Sequence, residues 1–141
     1  MSAHRHVIAA AAALLMTAST ALAQDVAPPD ASRSVISSQI EAFRAGDNEK
    51  AFSFAAPGIR RAFGSSDAFI SMVKRGYRPV FEPQSVEFGR FSERGGNLFQ
   101  EVLVTGPAGK NWVALYTLRR QSDGSLRITG VRLAESESLG V

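Results

Sequence analysis

Four polar side chains sit where this 141-residue sequence is otherwise apolar or changing period, and their types allow chemistry: Tyr77, Arg78, Gln100 and Tyr116. Tyr77 and Arg78 stand together before Pro79, where a helical pattern gives way to an extended one. Two phenols and a guanidinium are suited to holding a carboxylate or another anionic ligand. The ordinary alternative is that each tyrosine packs as core with its hydroxyl at the surface. Gln100 and Glu101 interrupt the apolar run of residues 98–104. An inward Gln100 amide would orient a ligand or satisfy a neighbouring backbone group. Acid/base work calls for paired carboxylates, but nothing in their spacing makes Glu82 and Glu87 face each other. Glu87 with Tyr116 is the closest imitation of such a pair, and the alternation that buries Val86 and Phe88 directs Glu87 outwards. Arg60-Arg61, Lys74-Arg75 and Arg119-Arg120 read as solvated charge, with an anion-binding patch as the alternative.

What is missing narrows the chemistry further. The only histidines are His4 and His6, and there is no cysteine. Both histidines fall in residues 1–23, which have a basic start, an apolar run over residues 7–16 and small residues at Ala21 and Ala23. That order predicts an export signal cleaved between Ala23 and Gln24, a buried N-terminal helix being the alternative. The apolar run is short for a membrane span, and none is predicted elsewhere. Cleavage removes Arg5 from the 16 Lys+Arg, leaving 15 against 13 Asp+Glu, a net charge near +2. Such a balance gives no reason to expect a nucleic-acid partner. A mature domain without imidazole or thiol has no Ser-His-Asp triad, no cysteine nucleophile, no zinc site built on His or Cys, and no disulfide. No cofactor is expected, and a periplasmic or secreted location is.

The elements that must position these residues divide the chain in two. Residues 24–31 (QDVAPPDA) read as an extended linker, because Pro28 and Pro29 remove donors. A single domain is expected over residues 32–134, with a frayed tail over 135–141. Ser32 or Ser34 would cap a first helix running to about Ala45, with Ile36, Ile40 and Phe43 on one face. Gly46 suits a left-handed helix end and Asp47 the next cap. Ala51, Phe52 and Ala55 supply a second helix. Pro57 opens a third with Ile59 and Phe63, and Ser65 or Ser66 a fourth with Phe69, Met72 and Val73. Gly46, Gly64 and Gly76 punctuate these segments.

Beyond Tyr77 the pattern becomes strand-like. A short extended piece is predicted at residues 80–82, then strands at 85–91, 98–105, 112–120 and 126–133. Gly95-Gly96, the 106–109 turn and Asp123-Gly124 separate them, predicting an antiparallel meander. Leu98, Val102 and Val104 share one face and Phe99 and Leu103 the other. Trp112, Ala114, Tyr116 and Leu118 likewise oppose Val113 and Leu115. Apolar residues on both faces predict that something covers each, one the helices and the other a second copy of the chain, the linker or the tail.

Helices followed by a curved antiparallel sheet resemble the cone-shaped fold of nuclear transport factor 2-like proteins. Residues 40–80, followed by VEFG at 86–89 and DGSLRITGVRL at 123–133, more closely resemble the domain of unknown function family 4864 of exported bacterial proteins. The resemblance covers about residues 35–133, and its motifs are caps, core aromatics and turns. It implies an α+β fold with short N-terminal helices on about four strands, and carries over no functional residue. The wider fold holds isomerases, dehydratases, hydrolases and binding modules, so architecture alone selects none. The residues favour a noncatalytic exported module that takes a small apolar or amphipathic ligand or a protein. The alternatives are a histidine-independent acid/base enzyme and a structural subunit whose cavity its own side chains fill.

Overall fold

The structure is a computed structural model that describes residues 26–136. The expected signal segment, its cleavage point at Ala23 and Gln24, and residues 137–141 lie outside the described residues. Within them, five helices precede four strands: α1 (Pro28–Ala45), α2 (Asn48–Ser53), α3 (Pro57–Phe63), α4 (Ser66–Gly76), α5 (Arg78–Phe81), β1 (Ser85–Arg94), β2 (Asn97–Thr105), β3 (Asn111–Arg120) and β4 (Leu126–Glu135). The strands pair antiparallel in the order β1-β2-β3-β4. This is the α+β arrangement that the periodicity predicts, with the helices first and the sheet a meander.

Three local expectations need correction. The extended linker ends earlier than predicted, because α1 starts at Pro28. The proline pair occupies the first turn, where N–H groups have no intrahelical acceptor and φ is already helical. Ser32, expected as a cap, is therefore a turn inside the helix and fully buried. The piece at residues 80–82 is not extended either. Val80 and Phe81 close the single turn of α5, their N–H groups donating to the Tyr77 carbonyl. Gly76 ends α4 as expected, and the left-handed conformation expected at Gly46 occurs there (φ 70°) and at Gly64 (φ 77°).

The helical layer is held by one aromatic cluster. Phe43 of α1 lies 5.4 Å from the Phe81 ring and 6.5 Å from Phe69, while Phe69 is 5.2 Å from Phe52 and 5.8 Å from Phe63. One ring on α4 thus touches rings from α1, α2 and α3. The expected caps hold: Asp47 accepts from the Lys50 N–H, and the Ser65 hydroxyl from that of Ala68. Arg60 and Lys74, read as solvated charge, lie over the Phe52 and Phe81 rings.

Alternation along the two central strands, β2 and β3, is regular. Leu98, Gln100, Val102 and Val104 of β2 are buried, as are Ala114, Tyr116 and Leu118 of β3, and this inner face packs on the helices. Phe99, Leu103, Val113 and Leu115 point the other way and are half-buried. Two bulges bend the edge strands: Gly89 and Arg90 of β1 together oppose Glu101, and Thr129 is the extra residue of β4. The free edge of β4 is covered by the connector between α2 and α3. There Ala55 bridges Ile128, the Ile128 N–H donates to the Phe54 carbonyl, and the Ala56 N–H to the Ile128 carbonyl.

Candidate ligand cavity

Where α3 leaves the sheet, the layers do not fill the space between them. None of the α3 residues is fully buried, and Ile59 and Phe63 reach inward only far enough to form a rim. Behind them lies a cavity of about 300 Å³, bounded by α1, α4, α5, β3 and β4. Phe43, Phe69, Val73, Val80 and Ile128 form its hydrocarbon walls, with Met72 and Tyr77 at the half-buried mouth. Gly130, beside the β4 bulge, adds wall without a side chain to occupy the space.

The polar lining consists of Gln39, Tyr77 and Tyr116; no Asp, Glu, Lys, Arg or His belongs to it among the described residues. Gln39 is committed to structure, since its Nε2 donates to the Ala51 carbonyl at 3.2 Å and ties α1 to α2. Tyr116 is different. It is completely buried, and its hydroxyl has no hydrogen-bond partner among the described residues. Burial pushes its phenol pKa up, so near neutral pH the group is an O–H donor and not a base. A buried hydroxyl left unmatched costs about 1–3 kcal/mol.

The structure sorts the residues singled out from sequence. Tyr77 and Tyr116, which are 39 positions apart, come to one cavity. Gln100 pairs directly with Tyr116 across β2 and β3 but lies outside the cavity lining. Its Nε2 donates to the carbonyls of Glu101 (2.8 Å), Gly89 (3.2 Å) and Arg90 (3.4 Å), which fixes the amide orientation and satisfies the bulge. The Gln100 Oε1 is left buried without a partner. Arg78 does not join the site. Its guanidinium turns to solvent and pairs with Glu82 at 3.1 Å, one turn along α5. Adjacency to Tyr77 misled because the short helix begins between them and sends the two side chains apart. Glu87 lies exposed on the outer face opposite Leu103, so no Glu87–Tyr116 pair forms.

Gln39 escaped sequence reasoning, although a signal was present. It occupies the i+3 place in the stripe Ile36, Gln39, Ile40, Phe43, where a polar residue must find a buried partner. No group of three potential His, Cys, Asp or Glu metal ligands occurs among the described residues, and no helix there is long and apolar enough to cross a membrane.

Comparison with known proteins adds a family. The chain is similar to an NTF-2 like protein of unknown function from Burkholderia xenovorans LB400, with 12% identity, coverage of 80% of this chain and 88% of that chain, and a TM-score of 0.49. No curated protein matches it. The model of the family described as Domain of unknown function (DUF4864) matches residues 27–141, which include every element built above, and the chain belongs to that family.

Proposed function

We propose that this is an exported binding module that holds a small, uncharged, mostly apolar ligand in the cavity beneath α3 without transforming it. The observation that carries the reading is the partnerless Tyr116 hydroxyl in a wall that is otherwise nearly all hydrocarbon. A ligand with one hydrogen-bond acceptor, such as a carbonyl or ether oxygen, satisfies that O–H and buries its apolar remainder against Phe43, Phe69 and Val73. A carboxylate is disfavoured, because the lining offers no cation to offset the loss of its hydration. About 300 Å³ accommodates one compact molecule, equivalent to roughly ten waters at about 30 Å³ each. Catalysis is the less favoured reading, since acid/base transfer calls for a group that changes charge near neutral pH and the buried phenol is shifted away from that range. Export rests on the order of basic start, apolar run and A-x-A site in residues 1–23.

Native mass spectrometry of the chain purified from its producing cells tests the binding. A retained small molecule is expected in the wild type, with loss or marked weakening in Tyr116→Phe. Equal retention by both proteins overturns the role of the hydroxyl. N-terminal sequencing of the exported fraction tests the location, with Gln24 expected first.

A further inference from the structure

We propose that the mouth of the cavity docks on an anionic lipid surface, where the module takes up and releases its ligand. The charge of the chain is collected around that mouth. Two helices, α3 and α4, supply Ile59, Phe63 and Met72 to the rim, and they carry Arg60, Arg61, Lys74 and Arg75 against Asp67 alone. That is a net +3, equal to the net charge of all 141 residues, so everything outside these two helices balances to zero. None of the four cationic side chains forms an ion pair or a hydrogen bond among the described residues. Arg78, the next cation along the chain, is held by Glu82 and adds little.

The helices place these charges beside apolar groups. On α3, Ile59 and Phe63 turn inward one turn apart, which leaves Arg61 and Ala62 exposed on the solvent side. On α4, Arg75 stands three residues after Met72 and so neighbours it at the mouth. Arg60 Cζ and Lys74 Nζ lie 5.5 and 5.4 Å from the Phe52 and Phe81 ring centroids, and both residues remain exposed. Tyr77, half-buried, follows directly on α4. Long cationic side chains with apolar stems, set around aliphatic groups, a phenylalanine and a tyrosine, match the headgroup level of a bilayer. There the charged ends meet phosphates, while the stems and rings rest on the acyl boundary.

Charge alone would also suit an acidic protein, and the choice of a lipid surface rests on the cavity reading above. An uncharged, mostly apolar ligand has its reservoir in a bilayer, and the water between bilayer and cavity is the barrier to its transfer. A mouth held against the headgroups removes most of that barrier. Each Lys or Arg near anionic lipid adds attraction over roughly a Debye length, about 10 Å at 0.1 M salt. Four such charges around a small apolar rim give a contact that salt can break, as a carrier that must also leave the surface requires.

Cosedimentation with phosphatidylcholine vesicles, with and without about one-third phosphatidylglycerol, tests the docking. The wild type should bind the anionic vesicles at low salt, pass over the neutral ones, and be released as salt rises. Arg61→Gln and Arg75→Gln should each weaken binding about fivefold, and the two together about twentyfold. Arg94→Gln removes the same charge from β1, the sheet edge that contributes nothing to the cavity, and should leave binding nearly unchanged. Equal weakening by all three overturns the proposal, because attraction would then follow net charge and not the mouth. Since the chain has no cysteine, Ala62→Cys on α3 and Ser92→Cys on β1 can each carry a single environment-sensitive dye. Anionic vesicles should shift the emission of the first to the blue and leave the second unchanged; the reverse overturns the orientation. A wild type that ignores anionic vesicles overturns the proposal outright, and one that binds soluble polyglutamate in their place does so in favour of an acidic protein. Ligand retention in native mass spectrometry is a separate measurement. Docking without a retained ligand overturns the cavity reading, whereas a retained ligand without docking overturns only the present proposal.

Discussion

The inner and outer faces of the same four strands solve opposite problems. Inside, the side chains are fully buried and the unmatched groups are polar: the Tyr116 hydroxyl and the Gln100 Oε1 lie in or beside hydrocarbon. Outside, the side chains are only half-buried and the unmatched surface is apolar, with Phe99, Leu103, Val113 and Leu115 set among charges. A buried polar atom without a partner points to something small that can reach it. The contrast teaches that the two faces of one sheet can be told apart by which kind of group each leaves over.

The largest effect that would break this contrast is a cut into the inner packing. Phe43→Ala removes a ring that is 5% exposed and touches both Phe69 and Phe81, and it should destabilise the chain by about 3–5 kcal/mol in urea titrations. Leu115→Ala, on the outer face, should lose much less in the isolated chain. Equal losses would mean that the two faces are equally committed to the fold of one copy.

The second effect is smaller and has the opposite sign. Tyr116→Phe removes the unmatched hydroxyl and should stabilise the ligand-free chain by about 1–2 kcal/mol. The same change weakens ligand retention, so stability and binding should move apart. A destabilised ligand-free variant would mean that the hydroxyl is already satisfied in solution. Smaller still, Asp47→Ala should cost about 0.5–1 kcal/mol, because an exposed side chain caps α2 through the Lys50 N–H.

Most of the fold was legible because its signals are local. Asp47, Ser65, Gly46 and Gly64 act within one turn of where they stand, and the alternation of β2 and β3 assigns each side chain to a face. Helix or strand at the ends of the helical layer was less legible. Pro28 and Pro79 each suit a first helical turn as well as an extended segment, and burial of Val80 and Phe81 against Phe43 decides the second case from afar. The cavity was half legible. Tyr77 and Tyr116 could be named as polar groups in apolar company. Their convergence depends on the gap left by α3, and neither residue encodes it.

The smallest effect tests the place where the two faces are joined. Asp123, in the turn between β3 and β4, accepts from the Ser125 hydroxyl at 2.6 Å and from the Ser125 N–H at 2.9 Å. Arg127 donates from Nε to the same hydroxyl at 3.1 Å and from Nη1 to the Ser53 carbonyl, so the turn is tied to the end of α2. The Ser125 hydrogen bonds, with a lesser contribution from the Arg127 charge, lower the Asp123 pKa below its ordinary 3.8. A lowered carboxylate pKa stabilises the fold at pH above the ordinary value, and that contribution is lost as pH falls through the folded value. Asp123→Asn keeps an acceptor but cannot ionise, so the wild type should be slightly the more stable at neutral pH. The gap between their urea midpoints should then close as the pH is taken down through about 4 towards 2. A gap that stays constant across that range would show that the turn is held by its geometry and owes nothing to the charge.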